Sequence, residues 1–192
     1  MNAHVDTAIK SSSKGQFLVG CLECDDEGAL AHQSLHFQHY LQVPFSEHRN
    51  AFTQMLLADH SLAEVRLQYA ERYRPAVPLM WRLCRFCEEN VEDPPHALFG
   101  CNGCLELQLL RDAFLNEATE RCPILHLVTL SATPESFFMA ILPYRQLADL
   151  LAKYCYGILQ VFGTKPILIV DASTYQTILP VALGNAANDS KL

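Results

Sequence analysis

The stretch "RLCRFCEENVEDPPHALFGCNGC", Arg82 to Cys104, gathers four cysteines and one histidine into a single short segment. Cys84 and Cys87 stand two residues apart, the spacing of a knuckle in which both sulfurs face one point about 2.3 Å away, as Zn²⁺ requires. One knuckle supplies half a tetrahedron. His96 and Cys101 follow, giving C-x2-C-x8-H-x4-C, and a single helical turn over "PHALFGC" would aim both at the same ion. Such a set fills all four positions of a structural zinc site and leaves none for water, so it holds shape and does not catalyse. A competing set exists, because Cys101 and Cys104 form a second C-x2-C and would make a four-cysteine ribbon with His96 as a bystander. A third reading leaves the cysteines as reduced, half-buried thiols with no metal.

Around this segment the chain reads as helix. The expected fold class is all-α: a helical bundle with the small zinc-knuckle loop inserted at residues 84–104. "ALAHQSLHFQHYL" predicts a short helix stopped by Pro44. "SEHRNAFTQMLLADH" offers Ser46 as N-cap and Phe52, Met55 and Leu56 on one face. "SLAEVRLQYAERY" places Ser61 and Glu64 in capping-box register and predicts a second helix of a hairpin. Pro75, Pro78 and the Pro94-Pro95 pair break helix around the Cys-rich segment. Beyond it, "LELQLLRDAFLNEATER" aligns Leu107, Leu110, Phe114 and Ala118 in one stripe. "TPESFFMAIL" has Thr133 at the N-cap and Pro134 at N1, and "YRQLADLLAKYCYGILQVFG" reads as one long apolar helix ending at Gly163. The boundaries that follow are a loosely ordered lead-in over 1–28, a helical domain over 29–165 and a loose tail over 166–192.

At 192 residues the chain is long enough for one domain with a real core. Its 50% hydrophobic content predicts folding, and a formal net charge of −7 excludes a surface that attracts nucleic acid everywhere. Any basic function is local. No basic flank precedes an apolar core at the amino terminus, and "YCYGILQVFGTKPILIV" is interrupted by Gly163, Lys165 and Pro166, so the expectation is an intracellular protein, in nucleus or cytoplasm, not secreted and without a membrane partner. Eight cysteines in such a compartment point to metal ligation or burial rather than disulfides. Cys21 and Cys24, with His32, His36 and His39 beyond them, form a weaker second metal pattern, and Cys122 and Cys155 read as core.

From Val65 to Cys87 five arginines, Arg66, Arg72, Arg74, Arg82 and Arg85, face one acid, Glu71, with Tyr69, Tyr73, Trp81 and Phe86 interleaved. Arginine beside aromatic rings suits phosphate contact with base stacking. Arg74, Arg82, Arg85, Trp81 and Phe86 are the candidate contacts to RNA or single-stranded DNA. Under the alternative, the arginines pair with Glu88, Glu89, Glu92 and Asp93 and Trp81 packs the loop onto the helices; a protein partner would then use the apolar faces around Phe137, Phe138 and Tyr154. No phosphate loop, nucleophile elbow, H-E-x-x-H or pair of metal-binding aspartates is present, so no enzymatic activity is expected.

"RLCRFCEENVEDPPHALFGC" resembles the zinc-binding segment that follows the reverse transcriptase of non-LTR (LINE or jockey-type) retrotransposons. "HRNAFTQMLLADHSLAEVRLQYAERYRPAVPLMWRLC" is similar to the helical tail upstream of that segment in fungal elements. The similarity spans about residues 36–120. It implies Cys84, Cys87, His96 and Cys101 as zinc ligands and a role beside nucleic acid, in a chain that lacks the polymerase. A retroelement fragment without a function of its own is the remaining possibility. Asn102-Gly103-Cys104 adds a cysteine to the motif and keeps the four-cysteine alternative open.

Overall fold

A computed structural model describes residues 38–126 and 132–176, together with Thr7, Ser11, Phe17, Leu18, residues 21–24, Leu30 and Ala31. The protein is all-α, with one short antiparallel pair, β1 (Glu23–Cys24) and β2 (Leu30–Ala31). The helices are α1 (Ser46–Leu56), α2 (Ala63–Arg66), α3 (Leu105–Arg121), α4 (Pro134–Ile141), α5 (Ala148–Gly163) and α6 (Ala172–Gln176). Helix α5 is apolar over most of its circumference because it lies in the centre: Leu151, Ala152, Cys155, Ile158 and Phe162 are buried. It packs against α1 through Phe52, Met55 and Leu56 and against α3 through Leu107, Phe114 and Ala118. Phe114 stacks on Tyr154 with centroids 4.6 Å apart.

Several termini follow their sequence signals. Thr133 Oγ1 accepts the Ser136 amide at 3.2 Å, and Pro134 occupies the first turn of α4, where its missing donor costs nothing. Helix α5 ends at Gly163, and Cys122 and Cys155 lie in the core.

Other expectations are corrected. The helix expected over "ALAHQSLHFQHYL" is instead strand β2 at one end and a 3₁₀ turn at His39–Gln42 at the other, with residues 32–37 outside the described set. Ser46 is the first helical residue, and Phe45 occupies the N-cap position. The long helix expected over "SLAEVRLQYAERY" stops after one turn, α2. Arg74 is the reason: its guanidinium takes the carbonyls of Arg66 at 3.5 Å and Tyr69 at 3.2 Å, groups a continuing helix would have used itself. Nor does Ser61 cap α2, since Glu92 does so from 29 residues away, its Oε1 accepting the Ala63 amide at 2.8 Å and its carbonyl the Glu64 amide at 3.1 Å.

The expected lead-in and tail both contribute core residues. Phe17 packs on Phe138, with centroids 5.0 Å apart, and Cys21 is buried. Tyr175 joins Ala63, Leu67 and Val77 in a second small core, with Trp81 and Ile167 packed against it. Residues 177–192 lie outside the described set.

Candidate metal centre

The Cys84 knuckle is held by a short antiparallel excursion. Leu83 bridges Val91, the Cys84 amide donates to the Asn90 carbonyl at 2.8 Å, and the Glu92 amide donates to the Arg82 carbonyl at 2.9 Å. The turn closes through the Glu88 amide on the Cys84 carbonyl at 2.9 Å, and Glu88 adopts φ 61°, in the left-handed region. The chain reverses so sharply after Cys87 that a non-glycine residue is carried into a strained conformation.

The second half of the site stands on a π turn, His96–Gly100, closed by the Cys101 amide on the His96 carbonyl at 2.7 Å. The wider winding places His96 and Cys101 side by side at five residues' separation. Pro94 and Pro95, expected only to break helix, open this turn. Asp93 caps it, its Oδ1 accepting the His96 amide at 2.8 Å.

Together these halves bring Cys84, Cys87, His96 and Cys101 to within 4.8 Å of one another, ligand atom to ligand atom, close enough to hold a metal ion. Cys84 Sγ lies 3.6 Å from Cys101 Sγ, and Cys87 Sγ lies 3.3 Å from His96 Nε2. Bond lengths to zinc of about 2.3 Å for sulfur and about 2.0–2.1 Å for imidazole nitrogen give tetrahedral edges of about 3.8 Å and about 3.6 Å. The two observed separations are near those edges. Cys104 stands outside the cluster, at the N-cap of α3.

The crowding of the four donors also sets their electrostatics. Burial alone would lower the His96 pKa, but the Cys84 and Cys87 sulfurs outweigh it and raise it. The Cys84 thiol is pushed up to about 12 by its hydrogen bond with Cys101 and by burial, while the same bond draws Cys101 down. Backbone amides point at the sulfurs: Phe86 N–H approaches Cys84 Sγ at 3.5 Å, and the Gly103 amide lowers Cys101 further.

Two supports escaped sequence reasoning, and a third, the pairing of an arginine with Glu92, was the alternative it offered. Gly103 lies against the Phe86–Cys87 peptide so closely that a Cβ there would fall 2.5 Å from the Phe86 carbonyl carbon and 2.6 Å from the Cys87 nitrogen. The glycine inside C-x-G-C was its only sequence signal. Arg111, on α3, fastens the Cys101 loop through the Leu98 carbonyl at 3.1 Å, Asn102 Oδ1 at 2.9 Å and the Cys101 carbonyl. Glu92 and Arg85 form the third support. Glu92 is 0% exposed and Arg85 4%; their charged ends meet at 2.6 Å, and the Arg85 amide donates to Glu92 Oε2 at 2.8 Å. The guanidinium continues to the carbonyls of Phe162 at 2.7 Å, Lys165 at 2.8 Å and Ser61 at 3.1 Å.

Of the expected nucleic-acid contacts, Arg85 is buried and the other four are half-exposed and also engaged within the fold. Arg85 is enclosed and cannot reach a phosphate. Arg82 donates inward to the carbonyls of Val77 at 2.8 Å and Glu64 at 2.6 Å. Arg74 binds Glu71 at 3.1 Å as well as backbone carbonyls. Trp81 is half-buried with its centroid 6.4 Å from that of Tyr175, and Phe86 packs edge-on against Phe162 at 5.1 Å. The faces expected for a protein partner are closed too, because Phe137, Phe138 and Tyr154 are buried. Among the described residues no other Cys/His/carboxylate group converges. Cys21 approaches the Phe17 carbonyl and His39 Nε2 the Leu142 carbonyl at 3.0 Å, while His32 and His36 lie outside the described set. No described helix is long and apolar enough to cross a membrane.

A buried histidine in the loop before α2, His60, faces the partly exposed Glu64 on that helix. Both His60 ring nitrogens are buried without a hydrogen-bond partner, and Nε2 stands 4.0 Å from Glu64 Oε2. Burial lowers His60 to about 4; burial and the charge of Asp93 raise Glu64 to about 7.

Compared with known proteins, the chain matches no family model, no curated protein and no solved structure.

Proposed function

We propose that this is a non-catalytic helical domain fastened by one structural zinc ion on Cys84, Cys87, His96 and Cys101, and that it contacts nucleic acid through the arginine-rich segment the zinc loop anchors. The observation that carries the zinc reading is the convergence of four ligand atoms within 4.8 Å of one another. Three thiolates and an imidazole are a preferred donor set for zinc, and four protein ligands leave no position for a reacting water. Zinc there contributes on the order of 10 kcal/mol of apparent folding free energy. The ion thus sets shape, and recognition falls to the surface it holds.

Nucleic-acid contact is supported by local charge. Of the four arginines from Arg66 to Arg82, Arg66 and Arg72 are exposed and make no ion pair among the described residues, in a chain whose net charge is −7. The resemblance of the Cys84–Cys101 motif to the retroelement zinc segment favours the same partner class. By this reading the chain is related to the tail of such an element.

Metal analysis of protein purified without added zinc tests the site. The wild type and Cys104→Ala should each carry one zinc per chain, and His96→Ala should lose it. The reverse pattern would move the fourth ligand to Cys104, and no metal in any of the three would remove the centre altogether. Binding of labelled oligonucleotides over a salt series tests the partner class, because phosphate contacts release counterions and weaken as salt rises.

A further inference from the structure

Between α2 and the knuckle the chain makes an excursion, residues 66–82, that closes on its own base. The Val77 amide donates to the Leu67 carbonyl at 2.9 Å, and Leu67 and Val77 are both buried against Tyr175 and Trp81. At its far end Glu71 and Arg74 pair as an antiparallel bridge, with amide-to-carbonyl bonds of 2.7 and 3.2 Å in the two directions. Arg72 and Tyr73 form the two-residue tip. Arg74 braces the base of that turn through Glu71 and the carbonyls of Arg66, Tyr69 and Pro75.

Nothing in the fold requires an arginine and a tyrosine at the tip. Tight turns favour Gly, Asn, Asp or Ser, and neither tip residue packs on the core. Tyr73 is 88% exposed and Tyr69 60%. The Arg72 guanidinium lies 5.2 Å from the Tyr73 centroid, and neither Arg72 nor Arg66 makes an ion pair among the described residues. Two exposed aromatic rings, Tyr73 with Arg72 over one face, and two arginines without ion pairs, Arg72 at the tip and Arg66 at the base of the excursion, thus belong to a braced support, in the one markedly basic stretch of an acidic chain.

Resting on the nucleic-acid reading above, we infer that this tip is a stacking platform for single-stranded nucleic acid: Tyr73 and Tyr69 stack unpaired bases while Arg72 and Arg66 hold the adjoining phosphates. Every base offers a π face, so the contact is tolerant of sequence, and a duplex keeps its bases stacked on each other and unavailable to the rings. Two phosphates held give a salt slope of about −1.4, at about 0.7 for each on a single strand. The contact therefore lies on residues distinct from Arg82, Arg85 and Phe86, which the fold uses internally.

The test is fluorescence anisotropy of labelled oligo(dT) and of a matching duplex with the zinc-loaded full chain. Oligo(dT) should bind tighter than duplex. Tyr73→Ala and Tyr69→Ala should each weaken it roughly fivefold or more, and Tyr73→Phe should restore it, since stacking needs the ring and not the hydroxyl. Arg72→Ala should flatten the salt slope by about 0.7. Photo-cross-linking of the wild-type complex, which needs no variant, should map to Tyr69 and Tyr73. If oligo(dT) binds but the tyrosine variants bind equally well, or the cross-links fall elsewhere, or duplex binds as tightly, the platform is refuted while nucleic-acid contact stands. If neither oligonucleotide binds, both fall, and capture of anionic vesicles alone would do the same.

Discussion

Replacing Glu92 with alanine should be strongly destabilising although Glu92 is not one of the four clustered Cys and His residues. The carboxylate accepts two backbone amides, Ala63 at 2.8 Å and Arg85 at 2.8 Å, and meets the Arg85 guanidinium at 2.6 Å. Its removal strands two buried donors and leaves a cation that is 4% exposed without its counterion. Breaking a buried pair from one side costs about 3–5 kcal/mol. The carbonyls of Phe162, Lys165 and Ser61 still solvate the guanidinium, which places the loss toward the lower figure. In a domain of this length each kcal/mol moves Tm by about 2–4 °C, so a drop of roughly 6–12 °C is expected. Thermal unfolding followed by circular dichroism at saturating zinc measures it. Arg85→Met combined with Glu92→Leu should recover part of the loss, because both charges then leave together. A Glu92→Ala melt within about 2 °C of wild type would refute the keystone role of this pair.

Gly103→Ala should weaken zinc binding at least about tenfold in chelator competition, the loss typical of a disturbed support around a metal site; its Cβ meets backbone at 2.5 Å, which cannot step aside, and unchanged affinity would count against the stacked arrangement of the two half-sites. Gly157→Ala, inside α5, is the contrasting case: its Cβ reaches only Leu110 methyls at 3.5 and 3.6 Å, so urea unfolding should show a gain of about 0.5–1 kcal/mol. Glu88→Gly should relieve the left-handed strain at φ 61° and stabilise the zinc-loaded form by up to about 1 kcal/mol, again by urea unfolding. With pH, the low His60 value means that only the unfolded chain binds that proton between about 4 and 6.5, so stability rises with pH there; the raised Glu64 value means that the folded chain holds a proton between 4.5 and about 7 that the unfolded chain has lost, so stability falls with pH there. These slopes oppose, and Glu64→Gln should therefore steepen the rise from pH 4.5 to 6.5 in urea titrations at fixed zinc, whereas a parallel curve would disprove the assignment.

What the sequence made legible was local. Helices α3, α4 and α5 follow from one-face periodicity, from Thr133-Pro134 and from Gly163, signals whose partners lie within a turn or two. The Cys84/Cys87 and His96/Cys101 pairs were legible for the same reason, since a knuckle and a single turn fix ligand spacing over a few residues. Asp93 also carried a local signal, a capping side chain just before two prolines, which was read only as a break. Composition left two readings of the arginines open, phosphate contact or pairing with nearby acids; Arg85 takes the second with Glu92, and what no local pattern records is that it also reaches the carbonyl of Phe162, 77 residues away. The early end of α2 has the same origin, in a guanidinium that reaches back for carbonyls the periodicity had reserved for a helix.

The position of Arg85, next to Cys84 in sequence, ties the metal centre to the rest of the fold. The segment that supplies a ligand sulfur also supplies the cation that grips the C-terminal end of α5, and Lys165 returns from beyond that helix to the Arg85 carbonyl. Glu92, at the end of the same excursion, caps α2, from which the residue 66–82 tip departs. A metal ion that fixes Cys84 and Cys87 therefore fixes both residues of the buried pair, and through them the helix end and the base of the exposed turn. Loss of metal should thus loosen the Tyr73 tip as well as the knuckle, although no ligand atom lies between Arg66 and Arg82. Hydrogen exchange at the Glu71 and Arg74 amides, with and without chelator, reads that link directly: faster exchange without metal is expected, and unchanged protection would mean that the tip is held by Arg74 and its own small core alone.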